Sequence, residues 1–177
     1  MKGTYLIRFN FSGGGTYTGG VQYNDNKALF RFCRGVQNSA EVSQYYMTAN
    51  ATTTTIATTG TPVKVSGTTT SSSVTEKFTN TDNRATYTGA LTRIFKVTAT
   101  LSCESGNNNQ VGGYIAKNGS TLNESEVYIT TNGSGRAENM IVQTITELAQ
   151  NDYIEIWVEN NTATNNVLVT DMNTIIE

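Results

Sequence analysis

Residues 139–161 read NMIVQTITELAQNDYIEIWVENN, two β-branched apolar runs joined by the turn letters Gln150, Asn151 and Asp152. Strand formers on either side of polar turn formers predict a long antiparallel hairpin. In its second arm Ile154, Ile156 and Val158 share one face, while Tyr153, Glu155, Trp157 and Glu159 share the other. Side chains alternate along a strand with period two, so the first face is predicted to be core. The second, two large rings and two carboxylates, is predicted to meet another subunit or water.

The same periodicity extends outward from this hairpin. Residues 93–103 place Phe95, Val97, Ala99, Leu101 and Cys103 on one side and Ile94, Lys96, Thr98, Thr100 and Ser102 on the other. Residues 111–117 read as a strand that turns at Asn118 and Gly119, the pair favoured in type I′ hairpin turns, and residues 122–129 continue it. Further strands are predicted at 63–65, 76–78, 84–88 and 167–176, separated by loops at 68–73, 80–83, 104–109 and 130–135. Counted from Gln44 this makes about eight strands at spacings of roughly eight to twelve residues, the pattern of a sandwich or jelly roll. No fixed-period repeat is present, which argues against a propeller or solenoid.

Residues 38–46 fit two templates. Asn38 with Glu41 imitates a helix capping box, while Val42, Gln44 and Tyr46 alternate as a strand, and the strand is preferred. Residues 49–60, ANATTTTIATTG, hold Ile56 as their one large apolar residue and read as an exposed linker or an edge strand. Nearer the N-terminus, residues 4–11 alternate Tyr5, Ile7, Phe9 and Phe11 against Leu6, Arg8 and Asn10. Residues 20–23 and 28–33 form two more strands across the turn 24–27. Residues 1–40 thus form a small β-meander too slight to bury a core by itself, and residues 41–177 the main domain.

Composition bounds the function. With 177 residues the chain is long enough for one well-buried domain and a small appendage. Charged residues are 15%, far from the profile of a disordered chain. Twelve Lys and Arg against fourteen Asp and Glu are scattered, leaving no electrostatic footprint for nucleic acid. The opening MKGTYLIRFNF lacks the architecture of a signal peptide, and no apolar run is long enough to cross a bilayer. Cys33 and Cys103 are expected to be buried free thiols.

Catalytic chemistry finds little purchase. Without histidine there is no base for a Ser-His-Asp or Cys-His arrangement, and no set of ligands for an ordinary zinc site. Glu155 and Glu159 lie about 13 Å apart at the strand rise, too far for a glycosidase pair, and Glu124 with Glu126 read as solvated charges at a hairpin rim. SGGGTYTGG at residues 12–20 lacks the Lys-Ser/Thr of a P-loop and reads as a flexible turn. Asp82, Asp152 and Asp171 lie near turns but lack EF-hand spacing, and no metal or other cofactor is assigned. The candidate contact residues are Tyr87, Tyr114, Tyr128, Tyr153 and Trp157, rigid amphipathic rings suited to packing between subunits or stacking on a glycan.

Residues 42–176 resemble the trimeric jelly-roll heads of the tumour-necrosis-factor and complement-head superfamily, in the version found in bacteriophage virion proteins. The resemblance is carried by TTTTIATTGTPVKVSGTT at 52–69, RATYTGALTRIFKVTATLS at 84–102 and YIAKNGS at 114–120, and above all by VQTITELAQNDYIEIWVENNT at 142–162 with NVLVTDMNTII at 166–176. It implies an all-β, antiparallel TNF-like jelly roll, a homotrimer closed around a threefold axis, and a head used for display, adhesion or shell decoration. It carries no catalytic residue. The expected function is therefore that of a non-enzymatic virion structural protein: a head fibre, a capsid decoration or a tail-associated adhesin. It would be made in the host cytoplasm and would dock on capsid or tail proteins through residues 1–40. A host surface glycan is a further candidate partner; nucleic acid and membrane are not. Two other readings stay open, a carbohydrate-binding module presenting Tyr and Trp, and a self-assembling jelly-roll capsid subunit.

Overall fold

The computed structural model describes residues 41–133 and 135–177 in full, and residues 21–24 and 27–30 as backbone. The chain divides into two units, Met1–Asn38 and Ser39–Glu177, each described by itself. In the first, β1 (Val21–Asn24) and β2 (Lys27–Phe30) pair antiparallel, with Asn24 opposite Lys27 across the turn. The strand expected at 4–11, the glycine-rich turn at 12–20 and Cys33 lie outside the described residues.

The second unit is a sandwich of two antiparallel sheets, the jelly-roll architecture expected from strand spacing. Its strands are β3 (Ser43–Met47), β4 (Val63–Lys64), β5 (Thr70–Ser71), β6 (Phe78–Thr81), β7 (Arg84–Tyr87), β8 (Arg93–Glu104), β9 (Asn107–Lys117), β10 (Ser120–Thr121), β11 (Val127–Asn132), β12 (Glu138–Leu148), β13 (Tyr153–Asn160) and β14 (Leu168–Ile176). One sheet runs β12-β8-β14-β3-β5. The other runs β10-β9-β13-β7-β6, with β11 also on β9 and β4 also on β13. The arms of the organising hairpin are β12 and β13, and they do not pair with each other. β12 lies on β8 from Glu138 opposite Cys103 to Leu148 opposite Arg93, whereas β13 lies on β9 in the facing sheet. The turn at Asn151, with φ of 72°, carries the chain from one sheet to the other.

Other expectations are refined. Of residues 38–46 the described part, from 41 on, enters the strand β3, while Asn38 lies outside the described residues. The strand expected at 122–129 is interrupted by a 3₁₀ turn at Asn123–Ser125 before β11 begins. Ser125, buried there, donates its hydroxyl to the Leu122 carbonyl and accepts the Ile115 N–H, which ties the interruption to β9. The Thr-rich stretch is an extended crossing pinned by the bridge between Thr54 and Val167, with Ile56 buried beneath it. Asn118 and Gly119, with φ of 52° and 76°, form the left-handed turn their identities predict.

The core lies between the sheets. Phe95, Val97, Ala99, Leu101 and Cys103 of β8 face Ile154, Ile156 and Val158 of β13, all at most 3% exposed. Cys103 is a free thiol, and burial pushes its pKa up to about 12, so it is an inert filler rather than a nucleophile. At one end Phe78, Tyr87 and Phe95 meet with ring centroids 5.0 to 5.3 Å apart, two of the pairs edge to face. The Tyr87 hydroxyl reaches Glu41 Oε2 at 2.8 Å and the Leu91 carbonyl at 2.9 Å, and Glu41 also pairs with Arg93 at 2.6 Å. These bonds fix where the chain enters the sandwich.

Gly89 lies directly against this ring, where an added Cβ would meet the Tyr87 hydroxyl at 2.1 Å and Cζ at 2.3 Å. A buried aromatic ring packed on both faces cannot yield, so Gly89→Ala is expected to destabilise the sandwich by about 1–3 kcal/mol. Urea denaturation measures it; an unchanged midpoint would contradict the packing described.

Candidate functional site

The two sheets present very different outer faces. On the seven-stranded sheet, β13, β9 and β11 stack side chains in cross-strand rows. Trp157 stands opposite Tyr114, and Glu159 opposite Gly112, which in turn stands opposite Tyr128. Lacking a side chain, Gly112 leaves a depression into which its neighbours lean; a Cβ there would lie 2.9 Å from both Glu159 Cγ and Tyr128 Cε1. The Tyr114 hydroxyl lies 2.7 Å from Glu159 Oε1 and beside Glu126 Oε1, the Tyr128 hydroxyl also reaches both carboxylates, and each hydroxyl has one proton to donate. Among the described residues neither Glu126 nor Glu159 has a cationic partner. Tyrosine hydroxyls are the donors recorded for the buried Glu159, while Glu126 is also open to solvent.

Further along β13 the chemistry changes. Glu155, 2% exposed, accepts from Arg84 Nε and Nη2 at 3.0 and 2.9 Å and from Trp157 Nε1 at 3.0 Å, with Lys64 Nζ at 3.7 Å. Arg84 in turn lies over the Tyr153 ring, 3.8 Å from its centroid. Lys64 carries on to Asp82 at 2.6 Å. A buried carboxylate is tolerated only when its lone pairs are filled in this way.

The five aromatic candidates therefore separate. Tyr87 is wholly buried, which corrects its assignment as a contact residue: its ring belongs to the Phe78–Phe95 cluster. Tyr114, at 5% exposure, is likewise internal, its hydroxyl between Glu159, Glu126 and Tyr128. Tyr153 and Trp157 are half-buried, one ring face under Arg84 and one indole N–H held by Glu155, and Tyr128 alone is well exposed at 41%. The expectation that this face of β13 meets water or a partner is corrected for its carboxylates: Glu155 and Glu159 are enclosed by side chains of the same chain. Asp82, Asp152 and Asp171 stay apart, held by Lys64, by Lys117 with Asn118, and by the Ala49 N–H respectively.

The outer face of the five-stranded sheet differs: large apolar side chains stand open there among polar ones. Ile94 of β8 is 73% exposed, Ile141 and Ile145 of β12 are 57% and 69% exposed, and Tyr46 of β3 is 38% exposed. A shallow groove of about 570 Å³ continues from Tyr46 and Ile141 across Thr100, Asn139 and Asn173. These residues were not singled out from sequence. The available signal was that β8 and β12 are apolar at adjacent positions, Ile94 beside Phe95 and Ile141 between Met140 and Val142, as strands covered on both faces are.

The sequence matches no family model and no curated protein. Among solved structures the fold is similar to murine APRIL at pH 5.0, with a TM-score of 0.52, 10% identity, and coverage of 77% of this chain and 98% of that one. Murine APRIL at pH 8.0 gives the same values. The PRD1 vertex protein P5 aligns with a TM-score of 0.49 and 9% identity over 76% of this chain and 93% of that one. At these identities the likeness is one of fold, and the fold is a TNF-like jelly roll.

The tyrosine-bonded carboxylates make acid a probe of the site. Hydrogen bonds from Tyr114 and then Tyr128 hold the Glu126 carboxyl below its usual range. The stability it contributes is present above the unfolded glutamate pKa of about 4.3 and is lost as pH falls through the lower folded value. Replacing both tyrosines by Phe is expected to shrink the acid-induced drop in the urea midpoint; an identical drop in the double variant would contradict the assignment.

Proposed function

We propose that the chain is a non-enzymatic structural protein of a bacteriophage virion, assembled as a homotrimer whose subunits meet through the outer face of the five-stranded sheet. Head fibre, capsid decoration and tail-associated adhesin all fit this role. One observation carries the assembly: Ile94, Ile141, Ile145 and Tyr46 stand open on a single sheet face. An apolar sheet face costs free energy in water, and a subunit that shows one gains by covering it. A closed ring of copies covers it on every subunit at once. That the ring has three members follows from the superfamily resemblance, as does the virion setting. The TNF-like fold supports the first.

The non-enzymatic reading rests on the lack of histidine and on the use made of the buried carboxylates, each committed to an internal hydrogen-bond or ion-pair network. For a sugar-binding surface, Arg84 already covers one face of the Tyr153 ring, and Trp157 is half-buried with its indole N–H held by Glu155. Residues 1–40 are assigned to docking on other virion proteins.

Light scattering on the purified chain tests the assembly. The wild type is expected at three times the 19.2 kDa subunit mass, and Ile145→Asp, which sets a charge in the apolar face, at the subunit mass with its fold intact. A Tyr128→Ser control on the opposite outer face should stay trimeric. A monomeric wild type, or an Ile145→Asp variant at full mass, would overturn the reading. For docking, a chain beginning at Glu41 is expected not to attach to particles; attachment would remove residues 1–40 from that role.

A further inference from the structure

The sequence contains two Asn-Gly steps, Asn118–Gly119 and Asn132–Gly133. Both have the composition from which the chain can modify itself. The backbone nitrogen of the glycine attacks Cγ of the asparagine, a new C–N bond closes a five-membered imide, and the side-chain amide leaves as ammonia. Water then opens the ring to aspartate or isoaspartate. Glycine is the permissive neighbour because no Cβ hinders the attacking nitrogen. From sequence the two steps are equivalent.

The structure makes them unequal. Asn118 is held at both ends of its side-chain amide: Nδ2 donates to Asp152 Oδ1 at 2.8 Å, and Oδ1 accepts the Tyr153 N–H at 3.0 Å. Its own N–H donates to the Tyr153 carbonyl at 3.0 Å, so the residue is tied to β13 through main chain and side chain together. Swinging Cγ onto the Gly119 nitrogen would break both side-chain bonds and leave the Tyr153 N–H without its acceptor. Asn132 is different. It is exposed, at the last position of β11, just past the register shift between Thr131 and Asn132. Its amide makes one contact among the described residues, from Nδ2 to the exposed carboxylate side of Glu138, and its Oδ1 is not engaged. Gly133 follows with φ of 101°.

We propose that Asn132 is a site of spontaneous deamidation in the folded protein, and that Asn118 is protected by its attachment to β13. The product has a direct structural consequence. Asn132 now donates to Glu138, and Glu104 accepts the Gly135 N–H at 2.6 Å across the same connection. A carboxylate at 132 would replace the donor by a third negative charge and turn the Asn132–Glu138 attraction into repulsion. Modification would therefore loosen the link between β11 and β12.

Both steps lie on one tryptic fragment, residues 118–136, so a single peptide reports both. The full chain would be incubated at mildly alkaline pH, folded and in strong denaturant, and the fragment followed by tandem mass spectrometry. In denaturant both sites should react at comparable rates. In the folded chain Asn132 should continue to react while Asn118 slows by about tenfold or more, since two hydrogen bonds must open first. Asp152→Ala, which removes one of them, should restore part of the Asn118 rate. Equal rates at the two sites in the folded chain, or an unreactive Asn132, would overturn the proposal.

Discussion

A β-strand has two faces, and in β8 and β12 the inward one is largely apolar while the outward one sets Ile94, Ile141 and Ile145 among polar residues such as Lys96, Thr98 and Gln143. One face of each lies in the sandwich core, with the inward positions from Phe95 to Cys103 at most 3% exposed and Met140, Val142, Thr144 and Leu148 at most 8%. The other carries Ile94, Ile141 and Ile145 into solvent. Burial of apolar surface is the main favourable term in folding and in association alike, so a sheet of this kind asks for a second covering layer. A single chain of this length supplies only one sandwich partner. The organisation of the molecule follows from that: the seven-stranded sheet covers one side, and the proposed assembly covers the other.

The seven-stranded sheet closes its own outer face by a different means. Glu155 and Glu159 point away from the core yet are buried, because Arg84, Trp157, Tyr114 and Tyr128 fold over them and fill their lone pairs. Such networks contribute little net stability compared with apolar packing, but each broken bond leaves a buried charge exposed to its full desolvation cost. They keep these two carboxylates from solvent on a face that otherwise exposes Tyr128 and polar strand residues such as Gln110 and Thr130. The contrast between that face and one carrying open isoleucines gives the subunit its polarity. It also favours the five-stranded sheet, rather than the aromatic one, as the surface of the proposed assembly.

Much of this is legible in the sequence. Period-two alternation in residues 93–103 and 153–159 placed the core faces correctly, and Asn118–Gly119 announced its turn. What alternation cannot tell is what covers a face. Glu155 and Glu159 looked solvated because their partners come from β7, β9 and β11, far away in sequence, and Tyr87 looked available because nothing local shows the Phe78–Phe95 pocket that receives it. Gly112 carried no evident signal, although it lets Glu159 and Tyr128 approach across β9. The open isoleucines were overlooked because aromatic rings are the usual marks of an interface, and here the apolar strip is aliphatic.

The central claim is that the outer face of the five-stranded sheet is covered in the native assembly. Hydroxyl-radical footprinting of the full chain in solution reads this at individual side chains. Val74, exposed on a loop away from the strip, serves as the reference. The account predicts that Ile94, Ile141 and Ile145 are strongly protected relative to Val74. Labelling of the three at the rate of Val74 would show the face to be open, and would contradict it.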